Sequence, residues 1–256
     1  VGLNGEPAFN RQCKTVLQQS RLFRRVPDEL LDEMLTGFRR DTWRRNAQLD
    51  PDSFQERFYV LITGRVEVSR VNPQTGRSIT LQILGPGDGI DVITLLTGDL
   101  HAIQPMALED VTLASAPVGE VRAWIERHPE FNRHFLPYLG EQMRLMEDLA
   151  TDLALYDTLT RLARLLLRHV RHGHPSSAPE PPHGLRLIHD MHDETLARMV
   201  GSVRQVVNRH LQHWRKSGVI HKHKFRTEIE DLEALRSYAE GNAQQGKTGH
   251  DKHQVS

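Results

Sequence analysis

Arg204, Gln205, Asn208 and Arg209 fall at positions i, i+1, i+4 and i+5, a spacing that puts all four on one side of a helix. None of these side chains is a nucleophile, so the chemistry they offer is recognition. Arginine can grip the O6 and N7 of guanine with two hydrogen bonds, and the amides of glutamine and asparagine pair the edge of adenine in the same way. Val203, Val206, Val207 and Leu211 supply the opposite, inward stripe. Upstream, Asp193 and Glu194 open a shorter apolar pattern of Leu196, Met199 and Val200, which Gly201 ends where a left-handed residue suits a tight turn. Ser202 then stands as the N-cap of the polar-faced helix and as a hydroxyl donor to phosphate. Downstream, WRKSGVI closes that helix at Gly218, and HKHKFRTEI reads as a basic hairpin whose Lys222, Lys224 and Arg226 would touch phosphate. Two helices around a glycine turn, a polar face and a basic wing together form a winged helix-turn-helix suited to duplex DNA.

The charge distribution agrees. The chain carries 33 basic and 33 acidic residues, a net charge of zero. From Arg198 to Arg226, however, there are eight Lys or Arg, four His and no Asp or Glu, and contact with phosphate depends on the local field.

Other elements must position this motif. From about Trp43 to Pro117 the sequence turns to short alternating runs, FYVLITGRVEVSR, SITLQILGPGD and VTLASAP, punctuated by Gly64, Gly76 and Gly85-Pro86-Gly87; that texture predicts a compact antiparallel roll. Two short helices are expected between Thr15 and Phe38, the second opening at Pro27 ahead of Asp28 and Glu29. A long helical stretch enters at Pro129 and should break near Leu155 to Asp157. Along it Phe135, Tyr138, Gln142, Leu145, Leu149 and Tyr156 recur at spacings of three and four. Such a stripe suits pairing with a second copy across a two-fold axis, or packing inside the chain itself. The Pro- and Ser-rich run GHPSSAPEPPHG from Gly173 to Gly184 then forms a loop.

Composition bounds the rest. A chain of 256 residues suits two domains. No apolar run approaches the roughly 20 residues of a membrane-spanning helix, and no signal peptide is evident, so no membrane partner and a cytoplasmic location are expected. Cys13 is the only cysteine, which excludes an intrachain disulfide and a four-cysteine cluster.

The segment ETLARMVGSVRQVVNRHLQHWRKSGVI resembles the helix-turn-helix of CRP/FNR (cyclic-AMP receptor protein) family regulators, and the likeness extends over nearly all of Thr15 to Ala239. It implies an α+β chain: an N-terminal antiparallel β-roll of the cyclic-nucleotide-binding type over residues 15–128, a dimerisation helix over 129–156 and the winged helix-turn-helix over 157–240. Residues 1–14 and 241–256 are expected to be poorly ordered. The resemblance further implies a homodimer on palindromic duplex DNA, contact with RNA polymerase, and an effector in the roll. Arg204, Gln205, Asn208 and Arg209 become the base-reading set, although many members carry glutamate where Gln205 stands.

In cyclic-AMP-binding members a Gly-Glu pair holds the ribose and an Arg-Ser or Arg-Thr pair the phosphate. Here those pairs align with Asp91 and Val92, and with His101 and Ala102, the provisional effector pocket. No arginine lies between Asp88 and Val121, so a buried phosphate would lack its guanidinium and cyclic AMP in the usual mode is not expected. The cofactor or effector stays unassigned. His101, His128 and His134 are the haem-ligand candidates, and no thiol or carboxylate set joins His169, His172 and His174 at metal-ligand spacing; no metal is assigned. LLTG resembles the matching stretch of nitrogen-control relatives. Two competing readings are a metal-dependent cupin-like enzyme and a cyclic-nucleotide-type signalling module. The first needs clustered histidines, yet His101 is the only one from Trp43 to Pro117, so no catalytic residue is assigned; the second leaves the helix-turn-helix unexplained.

Overall fold

The structure, a computed structural model, describes residues 7–23, 26–171, 191–223 and 226–241. The chain divides into two compact units that meet in sequence between Asp148 and Leu149.

The first unit begins with helices α1 (Pro7–Gln19) and α2 (Asp28–Gly37). The sequence argued for poor order up to residue 14, and α1 corrects this from Pro7 onward. Phe9, Cys13 and Leu17 recur every fourth residue and bury one stripe of α1 with Leu31, Met34 and Leu35 of α2. Burial pushes the Cys13 thiol up to about 12, so it is an inert packing group.

Then come β1 (Arg39–Trp43), the short α3 (Ser53–Glu56), β2 (Arg57–Thr63), β3 (Val66–Val71), β4 (Ser78–Leu84), β5 (Gly89–Ile90), α4 (Val92–Thr97), β6 (Gln104–Ala107) and β7 (Val111–Pro117). They form two antiparallel sheets, ordered β1-β7-β2-β5 and β4-β3-β6. Strand β2 explains its own apolar run, because alternate side chains enter different cores. Tyr59 and Leu61 meet Val66, Val68, Leu84, Ile90 and Leu113 inside the roll. Phe58, Val60 and Ile62 face the helices with Ala114 and Ala116 of β7. The tight β2–β3 turn requires Gly64, whose φ is +87° and where a Cβ would stand 2.5 Å from Val111 Cγ1. Strand β1, RRDTW, gives no apolar signal; it is a strand because it pairs with β7 from Arg39 opposite Ser115 to Trp43 opposite Val111.

Helices α5 (Val118–Arg127) and α6 (Pro129–Leu155) complete this part. Trp124, Phe131, Phe135 and Tyr138 sink into the same core as α1 and α2, and Phe131 stacks on Phe135 with ring centroids 5.5 Å apart. A fully buried side chain of this size contributes about 1.5–3 kcal/mol through desolvation.

The second unit takes up α6 from Leu149 and continues with α7 (Thr158–Arg171), α8 (Asp193–Met199), α9 (Arg204–Lys216), the hairpin β8 (Ile220–His223) and β9 (Arg226–Ile229), and α10 (Leu232–Ala239). The break expected near Leu155 to Asp157 is present, and Asp157 starts α7 by accepting the Thr160 N–H at 2.8 Å. Leu162, Ala163, Leu165 and Leu166 form the buried face of α7. The Gly173–Gly184 loop, with His172 and His174, lies outside the described residues.

Candidate nucleic-acid interface

The turn between α8 and α9 is built by the main chain. Gly201 has φ +59°, its N–H donates to the Arg198 carbonyl at 3.2 Å, and the Ser202 N–H donates to the Ala197 carbonyl at 2.8 Å. These are the two bonds of a Schellman ending, which fixes the angle at which the next helix leaves. A Cβ on Gly201 would stand 2.6 Å from Leu153 Cδ2, so a larger residue there would also have to displace the end of that side chain. The same pair of bonds ends α9, where the Gly218 N–H donates to Arg215 O and the Val219 N–H to Trp214 O.

Val207, Leu211 and Trp214 form the buried stripe of α9. Trp214, which pattern reading passed over, is the anchor: it is fully buried and its ring lies 5.4 Å from that of Tyr238 on α10. Arg204, Gln205 and Arg209 are exposed and Asn208 is half-buried, so the polar side reaches solvent as its spacing predicted. Two expectations need correction. Val203 is 54% exposed because it is itself the N-cap, preceding the first helical turn. Ser202 therefore does not cap α9; its hydroxyl instead accepts from Thr158 Oγ1 at 3.3 Å, tying the turn to α7. Helix α9 starts without a side-chain cap, leaving its first amides for another acceptor. Beside this face, burial and then the Arg209 charge push the His210 imidazole below its ordinary value.

The basic hairpin exists as read, β8 pairing with β9 from Ile220 opposite Ile229 to His223 opposite Arg226. Lys222 and Arg226 lie on these strands, and Lys224 falls outside the described residues.

At the N-terminal end of this unit a buried cluster joins the last turns of α6 to α7. Asp152 accepts from Arg164 Nε at 2.5 Å and from Arg168 at 2.6 Å, and the Arg164 guanidinium covers the Tyr156 ring at 4.5 Å. The apolar stripe read on α6 thus has its two ends engaged within the chain: Phe135 and Tyr138 in the first core, Tyr156 beneath Arg164. Gln142, Leu145 and Leu149 between them are half-buried. The adjacent register is the open one, with Leu136 63%, Met143 73% and Leu153 37% exposed.

In the roll, the residues aligned with the nucleotide cassette come together as a different group. Asp91, between β5 and α4, accepts from the Thr94 N–H at 3.3 Å and from His101 Nδ1 at 3.0 Å. Val92 begins α4 and packs against the helical core of its unit. Ala102 contributes its carbonyl, which accepts from Arg70 Nε at 3.0 Å.

Known proteins match these parts in the same order. The family model of the cyclic nucleotide-binding domain matches residues 50–128, and that of the Crp-like helix-turn-helix domain matches residues 160–238. The global nitrogen regulator of Synechocystis sp. is 30% identical over 205 residues, 78% of this chain and 85% of that protein. The CRP-like cAMP-activated global transcriptional regulator of Mycobacterium tuberculosis is 28% identical over 181 residues, 70% of this chain and 78% of that protein. A CooA variant from Carboxydothermus hydrogenoformans shares the fold, with a TM-score of 0.67 at 22% identity over 83% of this chain and 94% of that one. The chain belongs to the CRP/FNR family of DNA-binding transcription regulators, which are not enzymes.

Proposed function

We propose that the protein acts as a homodimer on a palindromic DNA site, reading base edges with α9 and responding to an effector held in the β-roll. The observation that carries this reading is the outward set Arg204, Gln205, Asn208 and Arg209, within the first two turns of a helix whose other side is anchored by Val207, Leu211 and Trp214. The early turns of a recognition helix are the part that enters the major groove. Arg204 and Arg209 then read guanine and Gln205 reads adenine. Ser202, the uncapped start of α9 and the wing residues Lys222, Lys224 and Arg226 meet phosphate.

Dimerisation is supported by Leu136, Leu139, Met143, Met146, Ala150 and Leu153, which alternate spacings of three and four along α6. Their exposed members would form an apolar stripe unless covered by the same helix of a second copy. Two recognition helices related by a two-fold axis require half-sites about one helical turn apart, roughly 34 Å. Regulation would proceed through RNA polymerase at the promoter, in the cytoplasm. The Mycobacterium tuberculosis relative is named as cAMP-activated; here His101 and Ala102 take the place of the phosphate-binding pair, and cyclic AMP is expected to bind weakly.

The test is selection of randomised half-sites by the purified protein at several salt concentrations. Arg209→Ala should cost about 1–3 kcal/mol on the selected site and relax one base position, whereas Lys224→Ala should weaken all sequences alike and lower the salt slope by about one. Unchanged base preference in the Arg204→Ala, Arg209→Ala double variant would refute the recognition face.

A further inference from the structure

We propose that the segment between β5 and β6 binds an organic cation, an alkylguanidinium or alkylammonium, at the unpartnered oxygen of the Asp91 carboxylate beside the His101 imidazole; this rests on reading the roll as the effector domain.

Asp91 is set up unlike a packing residue. Its backbone is left-handed, with φ +54°, a conformation that aspartate and asparagine adopt more readily than other non-glycine residues. Its side chain is 1% exposed. One carboxylate oxygen, Oδ1, accepts both bonds the loop provides, from the Thr94 N–H and from His101 Nδ1. The other, Oδ2, is buried with no partner among the described residues. Leaving a buried carboxylate oxygen without a donor is costly, and native folds rarely do so without a use for it.

Among the described residues, two arginines bonded to this segment donate to main-chain carbonyls. Arg70 Nε donates to the Ala102 carbonyl, and Arg122 donates to the carbonyls of Leu95 and Thr94; neither bonds Asp91. With Nδ1 donating to Asp91, a neutral His101 keeps Nε2 as an acceptor, and its side chain is 21% exposed. The pair thus presents an acceptor, Asp91 Oδ2, that no described residue fills with a donor. A buried charge is stabilised by an opposite charge that also donates hydrogen bonds, which a guanidinium or ammonium supplies and a phosphate or oxo acid does not. Ile93 and Leu96 on α4 and Leu100 just after it, all exposed, give apolar surface for the alkyl arm.

The experiment titrates agmatine, and separately n-butylamine, into full-length protein labelled with ¹⁵N-histidine. Cyclic AMP and 2-oxoglutarate form the anionic arms. At least one of the two cations should saturably shift one pair of ring-nitrogen signals, identified as His101 by its absence in His101→Gln. Asp91→Asn keeps a residue that tolerates the left-handed backbone and still caps Thr94, but it removes the charge; it should weaken that binding by about tenfold or more. Should Asp91→Asn fail to fold, His101→Gln carries the test, with a severalfold loss read by calorimetry. The proposal is overturned if neither cation perturbs His101 at millimolar concentration, if the variants bind as the parent does, or if either anion binds saturably at His101. Duplex binding by fluorescence anisotropy, run on the same samples, separates the two readings. Retained duplex binding with no cation effect rejects this site alone, whereas failure to bind any duplex rejects the regulatory reading and leaves the cation result standing.

Discussion

Replacing Asp152 with asparagine should loosen the second unit by about 2 kcal/mol. The carboxylate is 3% exposed and accepts two charge-assisted bonds, from Arg164 Nε at 2.5 Å and Arg168 at 2.6 Å. Breaking a buried pair by removing one partner costs about 3–5 kcal/mol when the remaining charge stays buried. That upper figure does not apply, because the arginine side chains are 30% and 21% exposed and can rehydrate. Asparagine also keeps one acceptor oxygen, so one charge-assisted bond is lost, worth about 1.5–3 kcal/mol, and the other is weakened. Native-state hydrogen exchange of the α7 amides reads this unit directly: those of Leu162 to Leu166 should exchange about 30-fold faster. A double-mutant cycle with Arg168→Gln should show coupling above about 0.5 kcal/mol. Exchange changed by less than about twofold, or additive variants, would refute the cluster as the joint between α6 and α7.

Gly201→Ala should destabilise the second unit by about 1–3 kcal/mol and weaken DNA binding, since alanine is strained at φ +59° and its Cβ would meet Leu153; urea denaturation and anisotropy check both effects. Met143→Glu, on the open face of α6, should convert the proposed dimer to monomer in sedimentation, and a parent that sediments as a monomer at micromolar concentration refutes that proposal. Burial, offset in part by the Gly85 N–H and the Arg21 charge, pushes the Asp88 carboxyl up from its ordinary 3.8 to about 6. The fold therefore favours the protonated acid, and the contribution of this group is complete below its ordinary value and lost as pH rises through about 6. Stability of the first unit should fall by about 2–3 kcal/mol across that window on this account, and Asp88→Asn should abolish the fall in denaturant titrations at each pH.

The recognition helix was legible because its signals are local. A 3.6-residue period, Gly201 and Gly218 at left-handed positions, and a run of 29 residues without an acid all lie within one short segment of chain. The roll was legible for the same reason, as period-two runs between glycine turns. Sequence therefore determined the family, the two-domain order and the outward face of α9.

Other features depended on distant partners. Strand β1 is polar and exists through its ladder with β7. Helix α1 hid its stripe in a polar composition that only α2 completes. Ser202 would cap a helix beginning one residue earlier, but the docking of the turn on α7 draws its hydroxyl to Thr158. Two interleaved stripes of apolar residues run along α6, and periodicity cannot choose between them. Packing does, drawing Phe135 and Tyr138 into the core and leaving Leu136 and Met143 in solvent. Asp91 and His101 stand ten residues apart on either side of α4; only the fold sets the carboxylate against the imidazole and leaves one of its oxygens without a donor among the described residues.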